Sequence, residues 1–214
     1  MITLYAFGRN VYPGMQGEAR DLRAQWALEE TGLPYRVHAL DYVGGELDGP
    51  AYSRMSYFHQ VPVIDDDGFI VTESGAILLY LAEKAGKLIA KDLEGRTRVA
   101  QWCFTAIATV ERSLADARMI DGLDGGETAD RSAPRRRFDG LERRLEGRSW
   151  IACDDFTVAD ILFATVLRAV RDTDIIDSYP RLKAYYARAF ARPAWQRTLA
   201  SCAERQGVSV EDIR

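Results

Sequence analysis

The spacing of hydrophobic positions changes character once along the chain, close to Gly86. Before that point the apolar residues come in short runs bounded by breakers. Ile2–Phe7 and Tyr35–Leu40 read as strands, the second entered through Gly32-Leu33-Pro34. Between them Leu22, Trp26 and the Glu29-Glu30 pair follow a helical repeat that stops at Gly32, the glycine expected just past a helix end. Val61–Asp65 and Phe69–Glu73 are two further apolar stretches joined by Asp66-Asp67-Gly68, a hairpin signal, and a helix is predicted over Gly75–Lys84. Strand-helix-strand followed by strand-strand-helix describes a small α/β domain over residues 1–84.

After Gly86 the period is helical throughout. Val99, Trp102, Cys103, Ala106, Ile107, Val110 and Leu114 fall on one stripe of a long helix. The same spacing returns around Phe138, Leu141 and Leu145, over Val158–Val170 and over Leu182–Phe190, with no strand among them. An all-helical domain over residues 96–214 is therefore expected, reached through a polar linker at 85–95. Gly122–Asp130 reads as a loop within it.

Composition narrows the class without naming it. The 214 residues are 47% hydrophobic and 28% charged, which is globular usage and excludes a disordered tail, a collagen or a disulfide scaffold. The longest clean apolar run, Ala76–Ala82, is far short of the roughly 20 residues that cross a bilayer. With no secretory leader read at the start, a soluble cytoplasmic protein without a membrane partner is expected. Cys103, Cys153 and Cys202 are widely spaced, so neither a disulfide framework nor a C-x-x-C pair is available, and any thiol chemistry must come from a bound molecule.

The sharpest constellation is Gln60-Val61-Pro62-Val63-Ile64 followed by Thr72-Glu73-Ser74-Gly75-Ala76-Ile77. A proline second in a strand belongs at an edge or at a cis bond, and a cis bond is expected here. It leaves the Val61 amide and carbonyl to pair with an extended peptide. Glu73 and Ser74 stand where a strand enters a helix N-terminus, whose unsatisfied amides and dipole attract a carboxylate. The serine adds a donor, and the glutamate an acceptor for an ammonium. Taken singly, Ser74 is an ordinary helix cap and Pro62 an edge proline; in combination they can hold the α-amino acid end of a ligand.

At this point the N-terminal half resembles the glutathione-binding domain of the glutathione S-transferase superfamily, of thioredoxin-like βαβββα fold, whose members carry the same Val-Pro strand and Glu-Ser turn. Phe156-Thr157-Val158-Ala159-Asp160-Ile161 reads as a capping box, with Thr157 at the cap and Asp160 three residues on. The superfamily has this box in its all-helical C-terminal domain, so Asp160 is expected to serve folding. Arg192-Pro193-Ala194-Trp195 also resembles the family's closing helix. The resemblance implies Gln60, Val61, Pro62, Glu73 and Ser74 as glutathione-binding residues, glutathione as co-substrate, a small hydrophobic electrophile as acceptor, and a homodimer.

Transferases of this family place a Tyr, Ser or Cys near the first strand to hold the glutathione sulfur. Here residues 5–17 contain neither Ser nor Cys. Asn10 and Tyr12 are the candidate donors and Arg9 a candidate positive charge, preferred over Tyr5 because strand side chains alternate into the packing. A free thiol of pKa about 8.5 is only a few per cent ionised at neutral pH, and lowering it by about two units needs roughly 2.7 kcal/mol of thiolate stabilisation. A glutathione-dependent isomerase or reductase, and a scaffold that has lost the chemistry, stay open as alternatives.

Other features suggest no further chemistry. The arginines at 131, 135–137, 143, 144 and 148 are interleaved with Asp139, Glu142 and Glu146 in an acidic chain of net charge −4, which reads as a solvated helix face and not as a nucleic-acid surface. His38 and His59 are far apart, which supports neither a metal site nor a hydrolase triad. No glycine-rich nucleotide loop follows a strand, so no nucleotide cofactor is expected.

Overall fold

The computed structural model describes residues 1–9, 11–12, 15–114, 132–171, 173 and 175–214. The loop expected at 122–130 lies outside them. By compactness the chain forms two units, Met1–Lys87 together with Arg192–Arg214, and Leu88–Ala191.

The first unit is built on β1 (Ile2–Phe7), an almost continuously buried strand at an inner position of a four-stranded sheet ordered β2-β1-β3-β4. β2 (Tyr35–Leu40) runs parallel to it, in register from Ile2↔Tyr35 to Phe7↔Leu40. A parallel pair needs a crossover, supplied by α1 (Asp21–Thr31), which ends on Gly32 at φ 74° with the Gly32 amide donating to the Leu28 carbonyl. A short helix, α2 (Pro50–Ser53), precedes β3 (Val63–Asp66); the hydrophobic pattern gave no sign of it. β3 and β4 (Phe69–Thr72) form the expected hairpin. Its turn residues Asp67 and Gly68 have φ of 52° and 96°, as an Asp-Gly turn of this kind requires. α3 (Ser74–Ala85) follows directly, one residue earlier than the sequence predicts. Leu4, Trp26, Ile64, Ile77, Leu78 and Leu81 are buried at its core.

The second unit is helical. α4 (Leu93–Phe104), capped by Asp92 accepting the Gly95 amide at 2.8 Å, continues into a π-helical turn over Thr105–Glu111. Of the stripe expected from the spacing, Val99, Cys103, Ala106, Val110 and Leu114 are buried, while Trp102 and Ile107 are half-buried. α5 (Ser132–Arg144) buries Phe138 and Leu141, α6 (Val158–Leu167) is buried nearly all round, and α7 (Pro180–Phe190) buries Leu182, Tyr185 and Ala189. The helix expected to reach Val170 changes to a 3-10 turn at Arg168–Val170. Asp160 closes the capping box of α6. Its Oδ2 accepts the Thr157 amide at 2.9 Å, and its Oδ1 accepts the Ile151 amide at 2.8 Å and the Tyr185 hydroxyl at 3.0 Å.

α8 (Pro193–Gln206) belongs with the sheet unit because it pairs antiparallel with α1. Arg197 meets Glu29 at 2.7 Å, Ser201 meets Gln25 at 2.8 Å and Arg205 meets Asp21 at 3.4 Å. Steps of four on both helices keep all three rungs on the facing sides. Trp26 and Trp195, both buried, meet at 4.8 Å between ring centroids, and Arg192 grips Glu30 with two bonds of 2.6 and 2.7 Å.

Candidate functional site

Two adjoining cavities open on the first unit. One of about 90 Å³ is lined by Gln60, Val61, Pro62, Thr72, Glu73 and Ser74 together with Arg20 and residues 56–58. The structure therefore brings five sequence-derived candidates, Gln60, Val61, Pro62, Glu73 and Ser74, around one space. The other, of about 380 Å³, is lined by Phe7, Met15, Tyr42, Leu47 and His59 among others, and shares Arg20, Gln60 and Val61 with the first.

The smaller cavity is shaped by how β3 and α3 begin. The paired register of β3 starts at Val63, opposite Tyr5 of β1, so Val61 lies outside the ladder, and the Val61–Pro62 bond is cis as expected. Glu73 occupies the N-cap of α3 with φ 66° and ψ 118°, a conformation that is costly for a residue with a side chain. Its side chain is exposed and makes no capping bond. The first amides of α3 thus lack a side-chain cap, which is the condition for receiving a carboxylate. Ser74, 5% exposed, is the first helical residue and not the cap. Its Oγ accepts from Arg23 Nη1 at 3.3 Å, leaving the hydroxyl proton to donate.

Gln60 is held from behind. Its carbonyl accepts from the Tyr52 hydroxyl at 2.7 Å and its amide donates to Ser56 Oγ at 3.0 Å. Burial, reinforced by the charge of Asp21, pushes the Tyr52 phenol above its usual range, so it stays a donor. His59 lines the larger cavity with φ 51°, and its Nδ1 lies 2.7 Å from Asp48 Oδ1. Sequence reasoning missed Arg20, Arg23, Tyr52 and His59. Their roles depend on α1 and α2 folding against residues up to 51 positions away, and no local spacing carries that information.

The candidates for holding a sulfur stand differently. Asn10 lies outside the described residues. Tyr12 is 57% exposed and meets the edge of Tyr42, itself on the wall of the larger cavity, at 5.7 Å. Arg9 is exposed and rests against the end of α8, where a Cβ on Gly207 would lie 2.8 Å from Arg9 Nε.

Sequence profiles decide the family. Residues 11–83 match the glutathione S-transferase N-terminal domain and residues 110–193 its C-terminal domain. The chain belongs to the glutathione S-transferase superfamily. It is 31% identical to glutathione S-transferase 1 of Triticum aestivum over 79% of this chain and 84% of the relative. It is 29% identical to the disulfide-bond oxidoreductase YfcG of Escherichia coli over 78% and 84%. A glutathione transferase from Burkholderia graminis, solved with two glutathione molecules bound per subunit, superposes with a TM-score of 0.79 at 28% identity, covering 94% of this chain and 88% of that one. The transferase fold expected from the sequence, a thioredoxin-like half and a helical half, is the one observed. Among the described residues, no three His, Cys, Asp or Glu side chains group as metal ligands, and no helix is long and apolar enough to cross a membrane.

Proposed function

We propose that this chain binds glutathione in the two adjoining cavities and delivers its thiolate to a small hydrophobic electrophile. The observation that carries the reading is the uncapped start of α3, with Ser74 primed by Arg23 and Glu73 exposed beside it. The α3 amides and the Ser74 hydroxyl take the γ-glutamyl carboxylate, and Glu73 accepts from the ammonium. Val61 pairs through its backbone with the cysteinyl residue, Gln60 flanks it, Arg20 offers a positive charge to the glycyl carboxylate, and His59 stands beside it on the cavity wall. Asn10, Tyr12 and Arg9 supply the donor or charge that keeps the sulfur ionised at neutral pH, when it is the nucleophile.

A second reading is reduction of a small disulfide by two glutathione thiols, which end as glutathione disulfide while the substrate leaves as two thiols. It is favoured by the YfcG relative and by the absence of Ser and Cys from residues 5–17. Two of the protein's three cysteines, Cys103 and Cys202, are buried, and burial pushes the Cys103 thiol up to about 12; Cys153 is half-buried, and burial raises its thiol as well. A scaffold without chemistry is disfavoured, since it has no use for a strained Glu73.

A cytoplasmic homodimer fits this reading. Tyr57 and Phe58, 86% and 78% exposed beside the smaller cavity, are an apolar pair that a second copy would cover. Light scattering at the monomer mass of 24.0 kDa across a wide concentration range would refute the dimer. Isothermal titration with glutathione, followed by screens of electrophiles and of a small symmetrical disulfide, tests the function. No binding at millimolar glutathione would leave the scaffold.

A further inference from the structure

We propose that Asp21, Arg205 and Gln206 are positioning residues that fix both ends of the stretch 8–17 against α8, and so set the ionisation of a thiol bound at the site. The inference rests on the glutathione reading above. Phe7, the last residue of β1, lines the larger cavity, and both of its backbone polar groups are taken by this network. Its amide donates to Asp21 Oδ2 at 3.0 Å, and its carbonyl accepts from Arg205 Nε at 2.9 Å. Arg205 also donates to Gln25 Oε1 at 2.9 Å and pairs with Asp21 at 3.4 Å, with side chains only 7% and 1% exposed. The stretch that must present the sulfur donor leaves the sheet directly after this pinned residue.

Its other end is held from the same helix. The Gly17 amide donates to Gln206 Oε1 at 3.1 Å. Gly17 has φ +70°, and a Cβ on it would stand 2.5 Å from the Cβ of buried Ile213, so only glycine permits this approach. Arg9 lies against Gly207 between the two anchors.

The network is an expensive way to join two helices. A buried ion pair gains little over well-packed apolar side chains, whereas it orients its partners closely. Among the described residues, the two buried side-chain polar atoms without a partner are Asp21 Oδ1 and Gln206 Nε2, one at each anchor. Unsatisfied groups of this kind are tolerated where position matters more than stability. The Trp26–Trp195 contact and the Arg192–Glu30 pair already join α1 to α8.

The test compares Gln206→Ala, which removes the Gly17 bond, and the charge-balanced pair Asp21→Asn with Arg205→Met, against wild type. Glutathione affinity is read by titration calorimetry, the ionisation of the bound thiol by thiolate absorbance against pH, and turnover with an accepted electrophile. Affinity should stay within about threefold, because Val61, Glu73 and Ser74 are untouched, while the bound thiol titrates about 1.5 pH units higher and turnover at neutral pH falls about eightfold with the thiolate fraction. Arg205→Lys, which keeps one donor for the Phe7 carbonyl, should lie between. Folded variants with wild-type thiol ionisation and only a lower Tm would make the network a plain staple. An affinity loss as large as the turnover loss would make it a support of the whole site; either result overturns the proposal. Should Asp21→Asn with Arg205→Met fail to fold, Gln206→Ala decides alone. Wild type that binds no glutathione would sink the parent reading first, and this inference with it.

Discussion

Replacing Asp160 by Ala should cost about 3 kcal/mol at neutral pH, more than loss of a helix cap, which typically costs about 1 kcal/mol. The side chain is wholly buried. Its removal strands the Ile151 and Thr157 amides and the Thr157 hydroxyl, now bonded at 2.8, 2.9 and 3.2 Å, and leaves the Tyr185 hydroxyl only its longer bond, 3.4 Å, to the residue 160 carbonyl in place of the 3.0 Å bond to the carboxylate. Each stranded buried donor costs about 1 to 3 kcal/mol. Against this, burial pushes the Asp160 carboxyl up from 3.8 to about 6 despite the hydrogen bonds it accepts. Relief of that buried charge returns about 3 kcal/mol at neutral pH, at about 1.4 kcal/mol per pH unit. The sign follows from proton binding. A carboxyl with a raised folded pKa binds its proton more tightly in the native state, so its contribution is fully present below pH 4 and is lost as pH rises through about 6. The cost of Asp160→Ala should therefore grow as pH is lowered from 7 towards 4. Urea unfolding of both proteins at several pH values, followed by circular dichroism, measures it. Glutathione affinity of the folded fraction should not change. A cost below about 1 kcal/mol that is flat with pH would refute the network and leave an ordinary cap.

Ser74→Ala should weaken glutathione binding by about 1 to 3 kcal/mol with the fold retained, since it deletes a charge-assisted donor and the partner of Arg23. Calorimetry giving normal affinity together with a lower Tm would make Ser74 structural only. Glu73→Gly should raise stability by about 1 kcal/mol by relieving φ 66°, and still weaken glutathione binding about tenfold or more through loss of the ammonium acceptor. A variant that is stabilised and binds normally would take Glu73 out of the site.

The legible part of this protein was whatever its physics kept local. The Asp67-Gly68 hairpin, the Gly32 cap and the α4 stripe each follow from residues within a few positions of one another. That Val61-Pro62 and Glu73-Ser74 would line one space was legible for the same reason, because they border elements that sequence spacing already defines. The partnership of Arg23 with Ser74 and the support of Gln60 by Tyr52 were not, since helix packing decides both. The α1–α8 ladder had a signal in retrospect. Asp21, Gln25 and Glu29 step by four, as do Arg197, Ser201 and Arg205, but a step of four says only that a face is polar, not which helix it meets. Nothing local to residues 193–206 places them with the sheet unit.

The most direct measurement is the thiolate absorbance of glutathione bound to the wild-type protein, followed against pH. If the first unit holds glutathione and ionises it, the bound thiol should titrate about two pH units below the free value of about 8.5 and be mostly thiolate at neutral pH. Glutathione that binds but titrates like the free thiol would contradict the catalytic reading and leave a binding protein.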